Sequence, residues 1–380
     1  MLPRSLLGLS TALCLAALAL TTTLHASASS PVAYVYVAES GAIQAYATAA
    51  DGTMTKIQSQ PTAGAIWHLS VTKKFLYGID GSSDISEFSI GSNGKLTPIG
   101  TMAASDYDPG NCFASGILQV DVTGTNVYAD VSDCDGESYV VSFKIGSTGQ
   151  LEFLGKAFAS EWAISQLRFT SNNLYAFQTG CHITAGTAGI ITSETPVTTE
   201  YKRESNGYLT YVETTADIPE GSGDKTFCPF NLASHGNQLV FEYLRYLPGE
   251  FYGVDYPLGN YTVSSDGKLS TKSDYANMAA TPVYPRAISI SPSGAILATG
   301  GDEGYQFFHF SGSSQPVKWT GPFATNGMVT ELGWDKTDHF YALTESSLIE
   351  YHITSTSYKK LAGVPNAFTS AGSVIVLSLN

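Results

Sequence analysis

The sequence has little charge for its length and none of the motifs of several common enzyme classes. Only 14% of the 380 residues are charged, and 19 Lys and Arg stand against 33 Asp and Glu, for a net charge of −14. Such an acidic chain repels nucleic acid and anionic membranes, so we expect neither as a partner. The chain also lacks a GxSxG nucleophile elbow, an HExxH helix, a phosphate-binding loop and a GxGxxG turn. These absences disfavour α/β-hydrolases, zinc proteases and nucleotide-dependent enzymes.

Long apolar runs are missing except at the amino terminus. Arg4 precedes the apolar stretch Leu6 to Leu20, and Ala26-Ser27-Ala28 is a small-residue cleavage site. The stretch is short for a membrane span, and no second one follows. The sequence therefore predicts a signal peptide over residues 1–28, a secreted or periplasmic protein without a membrane span, and a single domain over residues 29–380.

Cysteine is scarce after the leader and shows no CxxC or Cys/His spacing of zinc type. Four cysteines remain: Cys112, Cys134, Cys181 and Cys228. An even number in an oxidising compartment predicts two disulfides. From the places of these residues in the repeat described next, we expect Cys112–Cys134 and Cys181–Cys228.

A repeat of four short strands, here called A to D, runs through the chain. The unit Ile66 to Ile99 shows the alternation of apolar and polar residues that is typical of half-buried strands. Its C and D strands are joined by a turn that recurs as Asp51-Gly52, Asn93-Gly94, Thr148-Gly149, Asn206-Gly207 and Asp266-Gly267. Such pairs accept the positive φ of a two-residue hairpin, so each marks a C-to-D reversal.

Seven copies of the repeat predict an all-β fold, a seven-bladed β-propeller of four-stranded antiparallel blades. The A strands are expected to begin near residues 65, 112, 162, 226, 284, 328 and 372. The mature chain starts on a B strand, Tyr34 to Val37, and ends on an A strand, Gly372 to Leu377. We therefore expect the C-terminal strand to close the first blade.

The repeat resembles the lactonase family of seven-bladed propellers, which includes 6-phosphogluconolactonase and muconate cycloisomerase relatives. The resemblance rests on Ala33 to Val37, on Lys74 to Ile90, on several Gly-x-Leu-Thr turns and on Tyr284 to Gly294. It implies a propeller with lactonase chemistry and carries over two catalytic candidates, Arg286 and Glu242.

Propeller geometry brings the starts of the A strands and the ends of the B strands to one mouth of the central channel. His68 begins an A strand, so it is a candidate general base toward a lactone carbonyl, with Arg286 stabilising the oxyanion. A structural role in the channel wall is the alternative for both residues. Trp67 and Trp162, near A-strand starts, are interpreted as inter-blade packing.

Carboxylates end most of the B strands and are expected to crowd this mouth. Glu39, Asp80, Asp133 and Glu345 are candidate metal ligands, and Asp302 and Glu303 are candidate ligand-binding residues. No cofactor is required by the sequence, but such a rim could collect a divalent cation such as Ca²⁺. The alternative is that these acids belong to ordinary exposed turns.

Two insertions, Gly180 to Thr192 and Tyr243 to Tyr256, fall in B–C connections at the same mouth. The second contains the candidate ligand-binding residues Arg245, Tyr246, Phe251 and Tyr252. Aromatic rings with Arg suit a sugar or a peptide. The alternative is a loop that only covers the neighbouring blade.

Two functions follow from these features. The first is binding of a small or carbohydrate-derived ligand, or of a peptide, at an acidic and aromatic mouth, by a monomer that could also take a protein partner. The second is hydrolysis of a lactone ring. We favour binding, because fold alone does not carry activity.

Overall fold

Short antiparallel strands make up nearly all of the computed structural model. It describes residues 30–107, 113–132, 138–159, 167–185, 191–215, 226–246, 255–281, 284–302, 304–310 and 315–379. The predicted signal peptide, residues 1–28, lies outside the described residues. Over the described ranges, no helix has the length and apolar character needed to cross a bilayer.

The strands confirm the seven-bladed propeller, with seven sheets of four antiparallel strands in a ring, all within the compact unit of residues 31–380. The first four blades comprise β1 (Ala33–Glu39), β2 (Ala42–Thr48) and β3 (Met54–Pro61); β4 (Ile66–Val71), β5 (Phe75–Asp80), β6 (Asp84–Ile90) and β7 (Leu96–Ala103); β8 (Phe113–Val120), β9 (Asn126–Ser132), β10 (Ser138–Ile145) and β11 (Leu151–Phe158); and β12 (Arg168–Phe169), β13 (Tyr175–Ala185), β14 (Ile191–Arg203) and β15 (Leu209–Thr215).

The last three blades comprise β16 (Thr226–His235), β17 (Gln238–Tyr246), β18 (Tyr256–Val263) and β19 (Leu269–Thr271), with β20 (Ala280–Thr281) also paired to β18; β21 (Pro285–Ile290), β22 (Ile296–Gly301), β23 (Gly304–His309) and β24 (Val317–Lys318); and β25 (Val329–Trp334), β26 (His339–Thr344), β27 (Leu348–Ile353) and β28 (Tyr358–Lys360). A single 3-10 helix, Ala104–Tyr107, interrupts the strands of the described residues.

The first blade is closed as predicted, by β29 (Ala371–Ser378) at the carboxyl end of the chain. This strand runs antiparallel to β1, with Ala33 opposite Ser378 and Tyr36 opposite Ile375. The sheet order β29-β1-β2-β3 makes β29 the innermost strand of blade 1, where it contacts the innermost strands of blades 2 and 7. The two ends of the chain are therefore joined inside one sheet, which leaves no open seam in the ring.

The C-to-D reversals occur where the repeat predicts them, but the turn type differs from the prediction. Gly91 N donates to Lys95 O at 2.8 Å and Gly94 N to Gly91 O at 2.9 Å, which encloses a three-residue loop. The glycines of the five turns have φ of 82, 76, 92, 96 and 91°, whereas the Asp, Asn or Thr before each one has no positive φ. Each reversal is a type I turn followed by a left-handed glycine, which is the common three-residue hairpin.

These turns also join neighbouring blades. The buried B-strand tyrosines of blades 1 to 3 donate to the turn glycine of the next blade, as Tyr36 to Gly94 O (3.1 Å), Tyr77 to Gly149 O (2.8 Å) and Tyr128 to Gly207 O (2.7 Å). A buried tyrosine needs such a partner for its hydroxyl group. The repeat of Tyr in strand B and Gly in the C–D turn thus encodes blade-to-blade contact.

A polar network ties blade 3 to blade 4. The Asp121 carboxylate, with a fully buried side chain, pairs with Arg203 Nη2 at 2.9 Å. It also accepts hydrogen bonds from Asn173 Nδ2 at 2.9 Å and from Thr125 N at 2.8 Å. Arg203 Nη2 in turn donates to Asn126 Oδ1 at 2.7 Å. One carboxylate therefore organises the A–B turns of two blades.

A second buried polar group lies in blade 7, close to the first blade. His339 Nδ1 lies 2.8 Å from Asp335 Oδ2, and both side chains are almost fully buried. Burial raises the pKa of the nearby Glu350 to about 7, and the negative charges of Asp335 and Asp51 act in the same direction. The pKa of His339 is raised against the effect of burial, chiefly by the hydrogen bond to Asp335.

These pKa values predict that the protein loses stability as pH rises through neutrality. Glu350 and His339 both have raised pKa values in the folded state, so their contribution is present at low pH and is lost as pH rises past them. We expect the free energy of unfolding in urea to fall by on the order of 2 kcal/mol between about pH 5 and 8.

Glu350→Gln should remove the part of this slope that Glu350 contributes, whereas Glu345→Gln, which changes an exposed acid of the same blade, should leave the slope unchanged. A slope of equal size in wild type and Glu350→Gln would contradict the assignment.

Candidate functional site

A β-bulge recurs near the start of the innermost strands and shapes one mouth of the channel. In blades 1, 2, 5, 6 and 7, one inner-strand residue is skipped by the pairing with the B strand. The skipped residues are Gly372, Trp67, Phe230, Arg286 and Thr330. A bulge at this place re-aims side chains, and bulges are common beside binding sites. The skipped residues, together with those that follow them, therefore form the mouth.

Two adjoining cavities of about 200 and 270 Å³ occupy the channel, the first at this mouth and the second deeper in the channel. The first is lined by inner-strand residues of blades 3 to 7, namely Ile117, Arg168, Asn231, Leu232, Arg286, Ala287, Ile288, Ser289, Thr330, Glu331 and Leu332. The second shares Arg168 and Glu331 with the first and adds His68 and Gln119. Together they approach the size of a small-molecule site, about 300–1,000 Å³.

His68 lies in the wall of this channel, at the end predicted from the sequence. Its Nε2 lies 3.3 Å from Glu331 Oε1, and the two side chains are 12% and 14% exposed. The remaining oxygen of Glu331 accepts a hydrogen bond from Val374 N at 2.5 Å. Both oxygens of Glu331 are thus engaged, which fixes the carboxylate and, through it, the imidazole.

Arg168 brings a positive charge into the same space. Its Nη1 donates to Gln119 Oε1 at 2.9 Å and its Nε to Leu232 O at 3.1 Å, so it joins blades 3, 4 and 5. Burial lowers the pKa of Arg168 to about 10, and the charge of Glu331 acts in the opposite direction. The guanidinium is therefore still protonated at neutral pH.

Arg286 and Asp302, both predicted site residues, are brought together at the mouth. Arg286 Nε donates to Asp302 Oδ1 at 2.9 Å, and the guanidinium carbon lies 5.0 Å from the centre of the Tyr284 ring. The Arg286 side chain is 41% exposed. Among the described residues, none accepts a hydrogen bond from its terminal nitrogens, and the side chain lines the first cavity.

Glu242 lies behind the channel wall rather than in it. It is fully buried, and its Oε2 accepts a hydrogen bond from Asn231 Nδ2 at 3.0 Å. Burial raises the pKa of Glu242 to about 8, while the hydrogen bond from Asn231 acts in the opposite direction. At neutral pH this carboxyl group is mostly protonated, and it reaches the cavity only through Asn231.

The predicted rim of metal-binding carboxylates is not formed by the described residues, among which no group of three His, Cys, Asp or Glu could hold a metal ion. Glu39 instead accepts a hydrogen bond from Gln44, and Asp80 Oδ1 accepts from Ser82 N at 2.9 Å within its own turn. The B strand is second from the axis, so its terminal carboxylates are set back and satisfied locally. Glu345 is exposed, and Asp133 and Glu303 lie outside the described residues.

The position of Trp67 differs from the prediction that this ring packs between blades. The bulge between Ile66 and His68 turns this ring outward, so that it is 52% exposed. The ring lies against Gly81, where an added Cβ would come within 2.5 Å of it. Phe230, at the equivalent bulge of blade 5, packs against Tyr284 with ring centres 6.3 Å apart. Aromatic groups on two of the bulges therefore border the mouth.

The second insertion is closed at its base by Arg245. Its Nε and Nη2 lie 2.5 and 2.6 Å from the two oxygens of Asp255, and Tyr275 donates to the same carboxylate at 3.2 Å. This bidentate pair gives Arg245 a structural role, and its ligand contact stays a prediction. The side chain of Tyr246, and Phe251 and Tyr252 entirely, lie outside the described residues.

The first insertion extends a hairpin, with Gly180 opposite Val197 and Ala185 opposite Ile191. Of the predicted disulfide cysteines, Cys228 is 1% exposed. Cys112 and Cys134, and the side chain of Cys181, lie outside the description. The two pairings stay predictions.

Comparison with known proteins gives likeness of fold and no assignment of family. No protein-family model matches the chain, and no curated protein does. Among solved structures, a protein from Lactobacillus plantarum is 14% identical with a TM-score of 0.62, covering 92% of this chain and 100% of its own. A functionally unknown protein from Desulfotomaculum acetoxidans is 11% identical with a TM-score of 0.65, covering 91% and 99%.

A periplasmic gluconolactonase from Pseudomonas aeruginosa is also similar. It is 13% identical, with a TM-score of 0.44, and the alignment covers 92% of this chain and 99% of that chain. At such identities a likeness shows the fold alone, and the last score is too low to support an argument about activity. The lactonase resemblance therefore stays an expectation beyond the propeller itself.

Proposed function

We propose that this propeller binds a small carbohydrate-derived anion, such as the carboxylate form of a sugar acid, in the channel mouth. One observation carries the proposal. Two guanidinium groups, Arg168 and Arg286, line one cavity in which the only acid among the described lining residues, Glu331, is already held by His68 and Val374. Asp302 pairs with Arg286 Nε from outside this lining, but two guanidinium groups against one engaged carboxylate in the wall favour an anionic ligand in a protein of net charge −14.

The neighbouring groups suit the rest of such a ligand. The exposed ring of Trp67 offers a flat apolar surface to a sugar ring, while Asn231 and Ser289 supply neutral polar groups in the wall. The proposed site is thus a cavity with two guanidinium groups in its wall and aromatic rings at its border. Export through a signal peptide and a monomeric state remain part of the proposal.

Removing the positive charge of Arg286 should weaken binding of D-gluconate. We expect Arg286→Gln to raise the Kd by about 10-fold or more, because a charge-assisted hydrogen bond to the carboxylate is lost. Lys144→Gln is the matched control, since it removes one positive charge from an exposed pair with Glu152 on an outer strand. Isothermal titration with D-gluconate, and with neutral D-glucose as a second probe, gives the comparison. Equal affinity of the two variants for D-gluconate would contradict the proposed site.

Hydrolysis of a lactone is the second candidate, and the His68–Glu331 pair favours it. A carboxylate that orients an imidazole is the arrangement of a general base, and Arg286 in the same channel could stabilise an oxyanion. Acid release from D-glucono-1,5-lactone above the spontaneous rate, lost in a folded His68→Ala variant, would establish this chemistry. Binding of gluconate without turnover would leave the binding function.

A further inference from the structure

The C-terminal strand lies directly beside the channel site. Glu331 belongs to blade 7 and His68 to blade 2, and between them stands β29, the innermost strand of blade 1. The 3.3 Å contact between the two side chains therefore crosses the inner edge of the last strand of the chain. At this place, side chains of blades 7 and 2 contact each other across the strand.

Two hydrogen bonds attach β29 to this pair. Glu331 Oε2 accepts from Val374 N at 2.5 Å, so the same carboxylate contacts His68 and the strand backbone. Ser373 Oγ accepts from Leu69 N at 3.0 Å, which fixes the residue next to His68. Ser373 is 0% exposed and Val374 is 1% exposed, so water does not readily replace either bond.

We propose that β29 forms part of the ligand site, and that Glu331 and Ser373 are positioning residues for His68. Ligand binding and docking of the C-terminal strand are then coupled, and the coupling is reciprocal. A bound ligand stabilises the docked strand, and a weakly docked strand lowers the affinity for the ligand. The ligand half of this inference rests on the proposed function, whereas the positioning of His68 does not.

The strand offers a matched pair of variants. Ser373→Ala removes the bond to Leu69 N beside the site, and Ser378→Ala removes an equivalent bond, from Lys336 N to Ser378 Oγ at 3.0 Å, near the other end of the same strand. Each variant deletes one hydroxyl that joins β29 to a neighbouring blade. A general weakening of the docking of β29 would have the same effect on the site in both variants.

The first measurement needs no ligand. In ¹H–¹³C NMR spectra, with the His68 signals assigned by their loss in His68→Gln, Ser373→Ala and Glu331→Gln should both move the His68 imidazole signals. Ser378→Ala should leave them in place. Unmoved signals in Ser373→Ala and Glu331→Gln would overturn the inference. If Ser373→Ala does not fold, the His68 signals in Glu331→Gln test the inference by themselves. The side-chain oxygen of this variant can still accept the hydrogen bond from Val374 N, so the strand contact is kept.

The second measurement uses D-gluconate as the probe. We expect Ser373→Ala to raise its Kd by about 5-fold and Ser378→Ala by less than about 2-fold. In the wild type, saturation with gluconate should slow amide hydrogen exchange of residues 371–378. Equal Kd values in the two variants, or unchanged exchange, would overturn the coupling. Absence of gluconate binding by the wild type would refute the proposed function instead, and the NMR result would still decide whether β29 positions His68.

Discussion

A chain that ends at Ser370 is expected to lose the whole propeller, and not only one blade. The deletion removes β29, which forms seven register pairs with β1 and supplies the innermost strand of blade 1. It exposes the inner edges of three blades and a row of unpaired backbone groups. The expected loss is comparable to the whole stability of a domain, about 5–15 kcal/mol.

Circular dichroism with thermal unfolding measures this effect, and a shorter deletion is the control. Removal of Leu379 and Asn380 leaves β29 intact and, among the described residues, removes the bond from Leu379 N to Val32 O, so it should change Tm by a few degrees at most. A cooperative transition close to that of the wild type in the chain ending at Ser370 would show that the ring does not depend on its closing strand.

Replacement of Asp121 by Ala is expected to be the most damaging single substitution that leaves the site untouched. Asp121 accepts hydrogen bonds from the backbone and from Asn173, and it pairs with Arg203, whose side chain is only 13% exposed. The variant leaves this guanidinium without its counter-charge, and breaking a buried pair in this way costs about 3–5 kcal/mol. Urea unfolding of the folded variant measures the loss.

Asp51→Ala is the matched control for this substitution. Asp51 is also a turn aspartate that accepts a backbone hydrogen bond, from Thr53 N at 2.9 Å, but it is exposed and forms no salt bridge with another described residue. Its loss should cost about 1 kcal/mol or less. Equal losses in the two variants would mean that the pair with Arg203 contributes nothing beyond the turn.

The propeller could be predicted from the sequence because its strands and turns are marked by local sequence patterns that repeat. Alternating strands and a turn glycine depend only on neighbours in the chain, so six of the seven inner strands begin within one residue of the predicted place. The exception is blade 4, where the predicted start at Trp162 lies outside the described residues and β12 begins at Arg168. The closing strand was predictable for the same reason, since an A strand was missing at one end and present at the other.

The site was predicted only in part, because its geometry depends on irregularities that the repeat does not encode. His68 and Arg286 were found from their places at strand starts, and both line the channel. The bulge that exposes Trp67 has no local sequence signal, so strand alternation alone suggested a packed ring. Glu331 stands one residue after the bulged residue of blade 7, as His68 does in blade 2, and an alignment of the inner strands could have paired them.

The prediction of an acidic rim rests partly on Asp133 and Glu303, which lie outside the described residues. It treated residues at equivalent places in the repeat as neighbours in space, but B-strand ends are set back from the axis, where Asp80 caps its own turn and Asp302 pairs with Arg286. Charges that meet in the channel come from the inner strands instead. Arg168 was missed because blade 4 has only a two-residue inner strand, with weak alternation to mark it.

The most direct test of the central proposal is an experimental structure of the protein crystallised with D-gluconate. We expect density for the sugar acid in the channel, with its carboxylate against Arg168 and Arg286 and its carbon chain toward Trp67. Density for gluconate only on the outer strands or on the opposite face of the ring, with the cavity filled by solvent, would contradict the proposal.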